Sequence, residues 1–370
     1  MRLDIDGRNC ELESGRSILD AVKKEGLDSI MLSDRPLAAQ IGGEVFNLRF
    51  TPKKDTQIHL LRYGEDMGRR VYERTLQFLF ILAMRKEFPR ARVCVRYSLG
   101  PGLFITVDGM EEPFNEEAAL KVETEMRRLV RLKLPLERRR ISIKEALSFY
   151  EQDGQADKAK LLKWRRFSYF DVYQIDGYMD YFYGEMAPDT SYADVFRVKY
   201  VHDGAVVLLM PRNDAPDVPS DYVDLPKLHA VFHQSDEWGK LMECATVNDL
   251  NTHIQNGTIR ELVRINEALH DRGYADIADK IVQKGAKAVL VAGPSSSGKT
   301  TSAHRISTQL RLQGCHPVML SLDDYYIDRD KIERDENGEI DLENINTLDI
   351  QRFGSDLAAL IRGEKVEVPR

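Results

Sequence analysis

The sequence predicts a multidomain protein that combines α/β and α+β folds. A chain of 370 residues exceeds the size of one ordinary hydrophobic core, so we expect two to four domains. Apolar residues alternate through much of residues 1–62, as in strands, and helical periods follow. Near residue 290 an apolar run of strand length enters a glycine-rich loop and then a helical pattern, an order typical of parallel-sheet domains.

Composition and charge narrow the class of protein. Apolar residues make up 42% of the chain and charged residues 31%, which is typical of a soluble globular protein. No apolar run approaches the ~20 residues that span a bilayer, and the first ten residues lack an apolar signal segment. We therefore expect a cytoplasmic protein with no membrane partner. A net charge of −7 argues against a general nucleic-acid binder. The four cysteines are far apart in sequence, so we expect reduced thiols and not disulfide bonds or a zinc site.

Residues 1–62 are predicted to form a small β-rich module. Strand-like alternation occurs in Met1–Ile5, Val45–Phe50 and Gln57–Leu61, and Ser17–Lys24 is predicted to be a short helix. Three segments then carry a resemblance to a known family: Ser17–Ala21, Leu37–Gly43 and Asp55–Ile58. Together they resemble a TGS domain, the ubiquitin-like β-grasp module of threonyl-tRNA synthetases and some GTPases. The resemblance implies a β-grasp fold for residues 1–62.

Residues 63–213 are predicted to form an α+β domain. A helix from Tyr72 ends at Phe88-Pro89, strands follow at Arg92–Tyr97 and Gly102–Val107, and a helix covers Asn115–Leu132. Five apolar residues lie on one face of the first helix: Leu76, Leu79, Phe80, Ala83 and Met84. The order resembles the second additional domain of threonyl-tRNA synthetases, which implies RNA or tRNA contact by residues 1–213.

The hydrolytic reaction of that synthetase domain is not expected here. The family uses a His-x-x-x-His arrangement on its first helix, whereas Arg69–Phe80 contains no histidine. No histidine occurs between His59 and His202. The sequence therefore disfavours a synthetase editing factor.

Residues 214–285 are predicted to be a linker and a helical brace. Asp214–Pro226 contains three prolines among acidic and small residues, as linkers do. Thr258–Asp271 is predicted to be a helix that Gly273 stops, and Tyr274–Lys284 a second helix closed by Gly285.

Residues 286–370 carry the most specific motif of the chain. Ala286–Ala292 is predicted to be a buried parallel strand, Thr301–Leu312 a helix, and Pro317–Leu322 a second strand. Between the first two lies G-x-x-x-x-G-K-[ST] in full. The predicted cofactor-binding residues are Gly293, Pro294, Ser295, Ser296, Ser297, Gly298, Lys299, Thr300 and Thr301. A chance serine- and glycine-rich turn is disfavoured because both flanking elements fit.

These residue types suit a triphosphate. Two glycines let the backbone curl so that successive N–H groups point inward, and the helix from Lys299 adds the positive end of its dipole. Lys299 supplies a mobile positive charge to the β- and γ-phosphates, and the Thr300 hydroxyl can ligate Mg²⁺. The sequence therefore predicts ATP and Mg²⁺ as cofactors.

An acidic segment follows the second predicted strand. Ligands bind outside the carboxyl ends of parallel strands, so Asp323 is expected to face the γ-phosphate. Its carboxylate could take the proton of an attacking hydroxyl or help to hold Mg²⁺. The alternative is a helix cap or an acidic loop, because aspartate is common at such turns.

Three segments in this order carry a second resemblance: Gly293–Thr301, Leu320–Tyr326 and Asp341–Asp349. They resemble the phosphoribulokinase/uridine kinase family, and specifically the uridine kinase-like proteins with TGS and synthetase-like domains in front. The resemblance implies that Asp323 is the catalytic base beside Lys299 and that Tyr325 and Tyr326 lie near a nucleoside. Glu343 stands where the family has an aspartate that binds the ribose, and Ile345 replaces a usual proline.

That resemblance implies an ATP-dependent kinase that transfers the γ-phosphate to a hydroxyl of a uridine-like or similar small acceptor. The domain is expected to be partial, because residues 286–370 fall short of the ~150–200 residues of a complete domain of this kind. Weak turnover of this chain is therefore expected. The fold expectation is accordingly the N-terminal part of a P-loop parallel-sheet kinase domain.

Five questions remain open from the sequence. The alternative function is an ATP-switched, RNA- or tRNA-associated regulatory protein that uses the synthetase-like front domains. Arg127–Arg140 is either a solvated basic face or an RNA contact. Trp164–Arg166 and the aromatic run Phe167–Tyr183 either stack on bases or belong to the core, and His229 with His233 either binds a metal or packs. Homo-oligomerisation is also left open.

Overall fold

A computed structural model describes residues 1–202, 204–328, 332 and 344–369. The chain forms two compact units, Met1–Asn251 and Thr252–Arg370, and each is described by itself. The predicted substrate residue Glu343 lies outside the described residues. Within them, no helix is both long and apolar enough to cross a membrane.

The first unit begins with a five-stranded mixed sheet and one helix. Its elements are β1 Arg2–Ile5, β2 Arg8–Glu11, α1 Ile18–Lys24, β3 Ala38–Ile41, β4 Glu44–Phe46 and β5 Thr56–Leu61. The strand order is β2-β1-β5-β3-β4, and β1 and β5 are parallel. Ser17 caps α1, since its hydroxyl accepts from the Asp20 N–H at 3.2 Å while Asp20 accepts from the Ser17 N–H at 2.8 Å. The apolar face of α1 packs against the core of this sheet.

The predicted strand Val45–Phe50 is only partly formed. β4 ends at Phe46 because Asn47 starts a turn: its side-chain oxygen accepts from the Arg49 N–H at 2.8 Å and its carbonyl accepts from the Phe50 N–H at 2.9 Å. Alternation of apolar residues therefore continues beyond the end of the strand, and Phe50 is left at the surface.

The rest of the first unit combines helices with three antiparallel sheets. It contains α2 Asp66–Glu87, β6 Arg92–Leu99, β7 Gly102–Asp108, α3 Glu116–Leu132, β8 Glu137–Ser142, α4 Ile143–Gln152, α5 Ala156–Leu162, β9 Tyr169–Ile175, β10 Tyr178–Asp180, β11 Arg197–His202, β12 Ala205–Leu209, β13 Pro211–Arg212, β14 Ala215–Pro219 and α6 Pro226–Leu241. The sheet orders are β11-β12-β7-β6, β10-β9-β8 and β13-β14. The predicted linker thus begins as a paired strand, β14.

Helix α2 is the centre of the larger core. All five residues of the predicted apolar face are fully buried, and the helix starts at Asp66 rather than at Tyr72. α2 packs against α3, whose first turn is capped by Asn115 accepting from the Ala118 N–H at 3.0 Å. Helical periodicity therefore located both helices and the buried face of α2.

The small module is held to the α+β region by polar contacts, of which those of Arg35 are the most buried. The Arg35 guanidinium donates to Asp194 at 2.8 and 3.1 Å, and its side chain is 9% exposed. Asn47 donates to the Met186 carbonyl at 2.8 Å, and Arg49 donates to the Pro188 carbonyl at 2.9 Å. These bonds join the small module to residues 186–194 of the α+β region.

The second unit is built on helices. α7 Val247–Asn256 spans the division between the units, and α8 Ile259–Gln283, α9 Lys299–Leu312 and α10 Ile350–Ile361 follow. α8 packs on α9 through Ala278, Ile306 and Leu310. The predicted helix stop at Gly273 is wrong, since α8 runs through it without a left-handed φ. A glycine inside a helix costs about 1 kcal/mol relative to alanine, which a long helix tolerates. Gly285, with φ +58°, does follow the end of the helix.

The two predicted parallel strands are not formed in the described part of this unit. Residues 286–292 and 317–321 have extended or irregular backbone, with Leu290 83% and Val318 66% exposed. A parallel strand needs a neighbouring strand and cover on both faces, and the described residues of the unit supply neither. The expected P-loop parallel sheet is therefore not observed.

Candidate functional site

The glycine-rich loop forms a tight turn in front of α9. Gly298 has φ +84° and Ser296 has φ +59°, so the backbone curls through the left-handed region twice. The Ser297 N–H donates to the Pro294 carbonyl at 3.3 Å. A Cβ at Gly293 would lie 2.8 Å from the Ser297 hydroxyl oxygen, so only glycine fits this turn without a shift. The backbone therefore curls tightly at this loop, and its use as a phosphate cradle stays a prediction.

Lys299 lies across this loop. Its ammonium donates to the carbonyls of Gly293 and Pro294 at 2.8 and 2.9 Å. The first N–H groups of α9 have no intrahelical acceptors, and the N-terminal end of a helix favours an anion. The side chains of Ser295–Ser297 are exposed, so the loop is open to solvent. This arrangement can bind phosphate oxygens once the lysine turns from the carbonyls to the anion.

The acidic segment lies in a separate local structure. A 3₁₀ turn spans Leu322–Tyr325, and the Ser321 hydroxyl caps it by accepting from the Asp323 N–H at 3.3 Å. Asp323 and Thr300 are exposed, and no measured contact joins Asp323 to the loop. Their joint role as Mg²⁺ ligands stays a prediction. The capping alternative describes Ser321 rather than Asp323.

The two tyrosines of this segment differ in environment. Tyr325 is buried, its hydroxyl donates to Asp356 at 3.1 Å, and its ring packs edge-on against Phe353. Burial, and then the bond to Asp356, raises the pKa of Tyr325. Tyr326 is partly exposed and bridges to the backbone of Leu348. Tyr325 therefore has a structural contact that its sequence position did not indicate.

The basic stretch Arg127–Arg140 is divided between the end of α3 and β8, and most of its charge is neutralised. Arg127 bonds to Glu123 at 2.7 Å and Arg128 to Glu125 at 2.6 Å. Arg138 and Arg140 both pair with Asp171, at 3.1 and 2.8 Å. Arg127–Arg140 therefore does not form one continuous basic surface of unpaired side chains.

His229 belongs to an aromatic cluster and not to a metal site. Its Nδ1 lies 2.8 Å from the Tyr97 hydroxyl and its Nε2 lies 3.1 Å from Nε2 of His202. Burial, His202 and His233 lower the pKa of His229. No group of three or more potential ligands gathers anywhere in the described residues, so the metal alternative has no support. The closeness of His202 was not predicted, because it lies on a different element.

The aromatic run Phe167–Tyr183 is divided between core and surface. Phe170, Tyr173 and neighbouring side chains are buried, whereas Phe167 and Tyr183 are exposed. Trp164 donates from its indole N–H to Asn248 at 2.9 Å. The core alternative therefore holds for the buried rings, and base stacking by the exposed ones stays a prediction.

Comparison with known proteins finds threonine–tRNA ligases among the relatives of this chain. Three are the threonine–tRNA ligases of Clostridium kluyveri, Carboxydothermus hydrogenoformans and Acetivibrio thermocellus. The first is 25% identical over 194 residues, which cover 52% of this chain and 30% of the ligase. The others are 27% identical over 175 residues and 28% identical over 160 residues, covering 45% and 43% of this chain and 26% and 24% of the ligases. No family model matches the chain. The chain spans less than a third of these relatives' length.

These relatives correct the predicted family. Membership of the phosphoribulokinase/uridine kinase family is wrong, because the relatives are threonine–tRNA ligases and not kinases. The prediction of a uridine kinase-like enzyme with a nucleoside acceptor is wrong with it. The resemblance of the front half to threonyl-tRNA synthetases agrees with the relatives found. The roles given to Asp323, Tyr325 and Tyr326 by the kinase resemblance stay untested.

Proposed function

We propose that this chain is a tRNA-associated regulatory protein. In this proposal residues 1–213 contact RNA, and the loop at residues 293–301 binds ATP with Mg²⁺ as a switch. The observation that carries the proposal is the similarity to threonine–tRNA ligases over about half of the chain. The matched lengths, up to 194 residues, are close to the length of this front region.

The proposal assigns a role to each part of the chain. Residues 1–62 are a TGS-like module, which the parallel β1–β5 pair and the single helix support. Residues 63–213 are a domain like the second additional domain of threonyl-tRNA synthetases, supported by the order of α2, β6, β7 and α3. Residues 214–285 connect to the nucleotide-binding part at 286–370.

The net charge of −7 does not oppose this proposal. RNA affinity depends on local positive charge that faces the phosphates, and distant acidic residues are screened within about 10 Å at 0.1 M salt. Because Arg127–Arg140 is largely paired, its arginines would have to exchange carboxylates for phosphates. We therefore expect modest affinity with a clear salt dependence.

The loop supplies the groups that a triphosphate needs. Backbone N–H groups from Gly293 to Thr300 and the Lys299 ammonium would hold the phosphates, and Thr300 with Asp323 would hold Mg²⁺. A bound ATP would supply charge that draws Lys299 away from the Gly293 carbonyl. A ligand shifts the balance between two states of a protein only if it binds one of them better. ATP would favour the state in which Lys299 binds the phosphates over the state in which it binds the Gly293 carbonyl.

A tRNA-binding measurement on the full chain tests the proposal. Filter binding with total tRNA between 50 and 200 mM salt should show affinity that falls with salt as several phosphate contacts are lost. A non-hydrolysable ATP analogue with Mg²⁺ should change this affinity in the wild type and not in Lys299→Ala. Lys287→Ala removes an exposed lysine outside the loop and is the matched control. Absence of tRNA binding at low salt would contradict the RNA role, and an analogue without effect would contradict the switch.

A further inference from the structure

A cleft of about 710 Å³ lies inside the first unit, between the edge strand β4, the start of α2 and residues 183–185. Its volume is within the ~300–1,000 Å³ of small-molecule sites. The side chains that matter for its chemistry are those of Phe50, Arg70, Arg74, Arg138, Tyr183 and Glu185. The Arg35–Asp194 and Asn47–Met186 contacts hold its two walls within one unit.

Two of its three arginines are available to an anion. Arg138 pairs with Glu185 and with Asp171, so its charge and that of Glu185 offset each other. Arg70 and Arg74 have no carboxylate partner at ion-pair distance in the part of the chain that the structure describes. The remaining acid, Glu44, is exposed on the β4 side. Glu73, on the same helix, interacts electrostatically with both arginines, so what the cleft offers an anion is two guanidinium groups without an ion-pair partner and not a large excess of positive charge.

Arg74 is held in a fixed position. Its Nε donates to the Glu185 carbonyl at 2.9 Å, and its guanidinium lies over the backbone of Gly184. A Cβ at Gly184 would lie 2.9 Å from Cζ of Arg74, and Gly184 has φ +107°, so a glycine is needed there on both counts. The Tyr173 hydroxyl donates to the Gly184 carbonyl at 3.1 Å. A planar guanidinium fixed in this way suits the oxygens of a phosphate.

Aromatic side chains stand beside these arginines. Phe50 is 37% exposed and Tyr183 is 74% exposed, so both rings are accessible to a partner. The rings of Phe46 and Phe50 are 4.5 Å apart between centroids. Exposed rings next to unpaired guanidinium groups are the combination that single-stranded nucleic acid uses, with bases on the rings and phosphates on the arginines.

We propose that this cleft binds a short single-stranded segment of RNA. A base stacks on Phe50 or Tyr183, and the adjoining phosphate is bound by Arg70 and Arg74. A duplex end would keep its bases paired and stacked on each other, whereas an unpaired segment offers them to the rings. The inference rests on the proposed association with RNA and names the form of RNA and the surface that it uses.

The test measures binding of a fluorescein-labelled 12-nucleotide single-stranded RNA and of tRNA to the full chain. Arg70→Ala and Tyr183→Ala change exposed side chains that line the cleft. Each should weaken binding of the oligonucleotide about tenfold, from the loss of a charged hydrogen bond or of a stacked base. Arg70→Ala should also lower the salt slope. Arg16→Ala and Leu241→Ala remove an exposed arginine and an exposed apolar side chain that neither line the cleft nor belong to Arg127–Arg140 or residues 164–183, and both should bind as the wild type does.

The outcomes separate this inference from the function on which it rests. If tRNA binds but the cleft variants match the wild type, the cleft is not the site and the proposed RNA association stands. If no RNA binds to any form of the chain, both fail. If a 12-base-pair duplex binds as tightly as the single strand and loses affinity in the same variants, the single-strand assignment is wrong. If a nucleoside 5′-monophosphate displaces the oligonucleotide at equal concentration, the cleft binds a free nucleotide and the RNA assignment is overturned.

Discussion

Arg35 is the residue whose removal should most weaken the attachment of the small module to the α+β region. Its guanidinium makes two bonds to Asp194, at 2.8 and 3.1 Å, and donates to the carbonyls of Ser29, Ile30 and Tyr192. The Arg35 side chain is 9% exposed and that of Asp194 is 34% exposed. Arg35→Ala leaves a half-buried carboxylate without a partner and several carbonyls without donors.

The size of the effect follows from this burial. Breaking a buried ion pair costs ~3–5 kcal/mol, because one charge remains uncompensated. Water reaches Asp194 in part, so we expect Arg35→Ala to lower the free energy of unfolding by about 2–4 kcal/mol. Arg49→Ala is the matched control, since Arg49 also joins the module to the α+β region, at Pro188 and Asp189, but is 45% exposed. An exposed pair of this kind contributes about 0–1 kcal/mol.

Urea unfolding followed by tryptophan fluorescence measures both variants. The two tryptophans, Trp164 and Trp238, lie in the first unit, so the signal reports on that unit in the full chain. Equal destabilisation by Arg35→Ala and Arg49→Ala would show that burial does not set the difference. Arg35→Ala should also weaken binding of single-stranded RNA although it does not line the cleft, because it frees one wall.

Three further predictions concern pH and the glycine-rich loop. The pKa of His59 is raised, chiefly by its hydrogen bond to Glu65, so this contact stabilises the fold below about pH 6.5. Its contribution is lost as the pH rises through the folded-state pKa, so His59→Gln should reduce the difference in urea midpoint between pH 5.5 and 8.5. The same difference in the variant as in the wild type would contradict this prediction. The pKa of His229 is lowered, so the folded state favours its neutral form, and acidification from pH 7 to 5 should weaken the packing of α6 near His202. Amide hydrogen exchange in α6, corrected for intrinsic rates, should therefore be faster at pH 5 than at pH 7. Equal protection of α6 at the two pH values would argue against this. Gly298→Ala places a Cβ on a residue with φ +84°, which costs about 1 kcal/mol of backbone strain. Affinity for a fluorescent ATP analogue should fall about fivefold, and the urea midpoint of the first unit should not change. Full affinity in this variant would show that the turn does not form the site.

The sequence predicted the elements whose signals are local. The apolar face of α2 and the position of α3 follow from periods within a few residues, and both are observed, with Asn115 found as the cap of α3. Residues 286–292 have the composition of a buried strand, but a strand forms only when partners from elsewhere pair with it, and the described residues offer none. Gly273 failed as a stop because a glycine ends a helix through a left-handed φ, which sequence alone does not show.

The cleft could not be predicted because its residues are distant in sequence. Phe50, Arg70 and Tyr183 come from a turn, a helix and a loop, and tertiary contacts bring them together. The loop motif was evident from the sequence, but a phosphate-binding motif defines local chemistry and not a family. This is why its extension to a kinase was wrong, whereas the similarity of the front half to threonyl-tRNA synthetases agreed with the relatives found.

Crosslinking to RNA tests the central claim most directly. The full chain is irradiated with tRNA that carries 4-thiouridine, digested, and analysed by mass spectrometry for peptides bearing a nucleotide. The account predicts crosslinks within Met1–Asn251, with peptides that contain Phe50 or Tyr183 among them, and competition by unmodified tRNA. Crosslinks confined to Thr252–Arg370, or none above a protein that does not bind RNA, would contradict it.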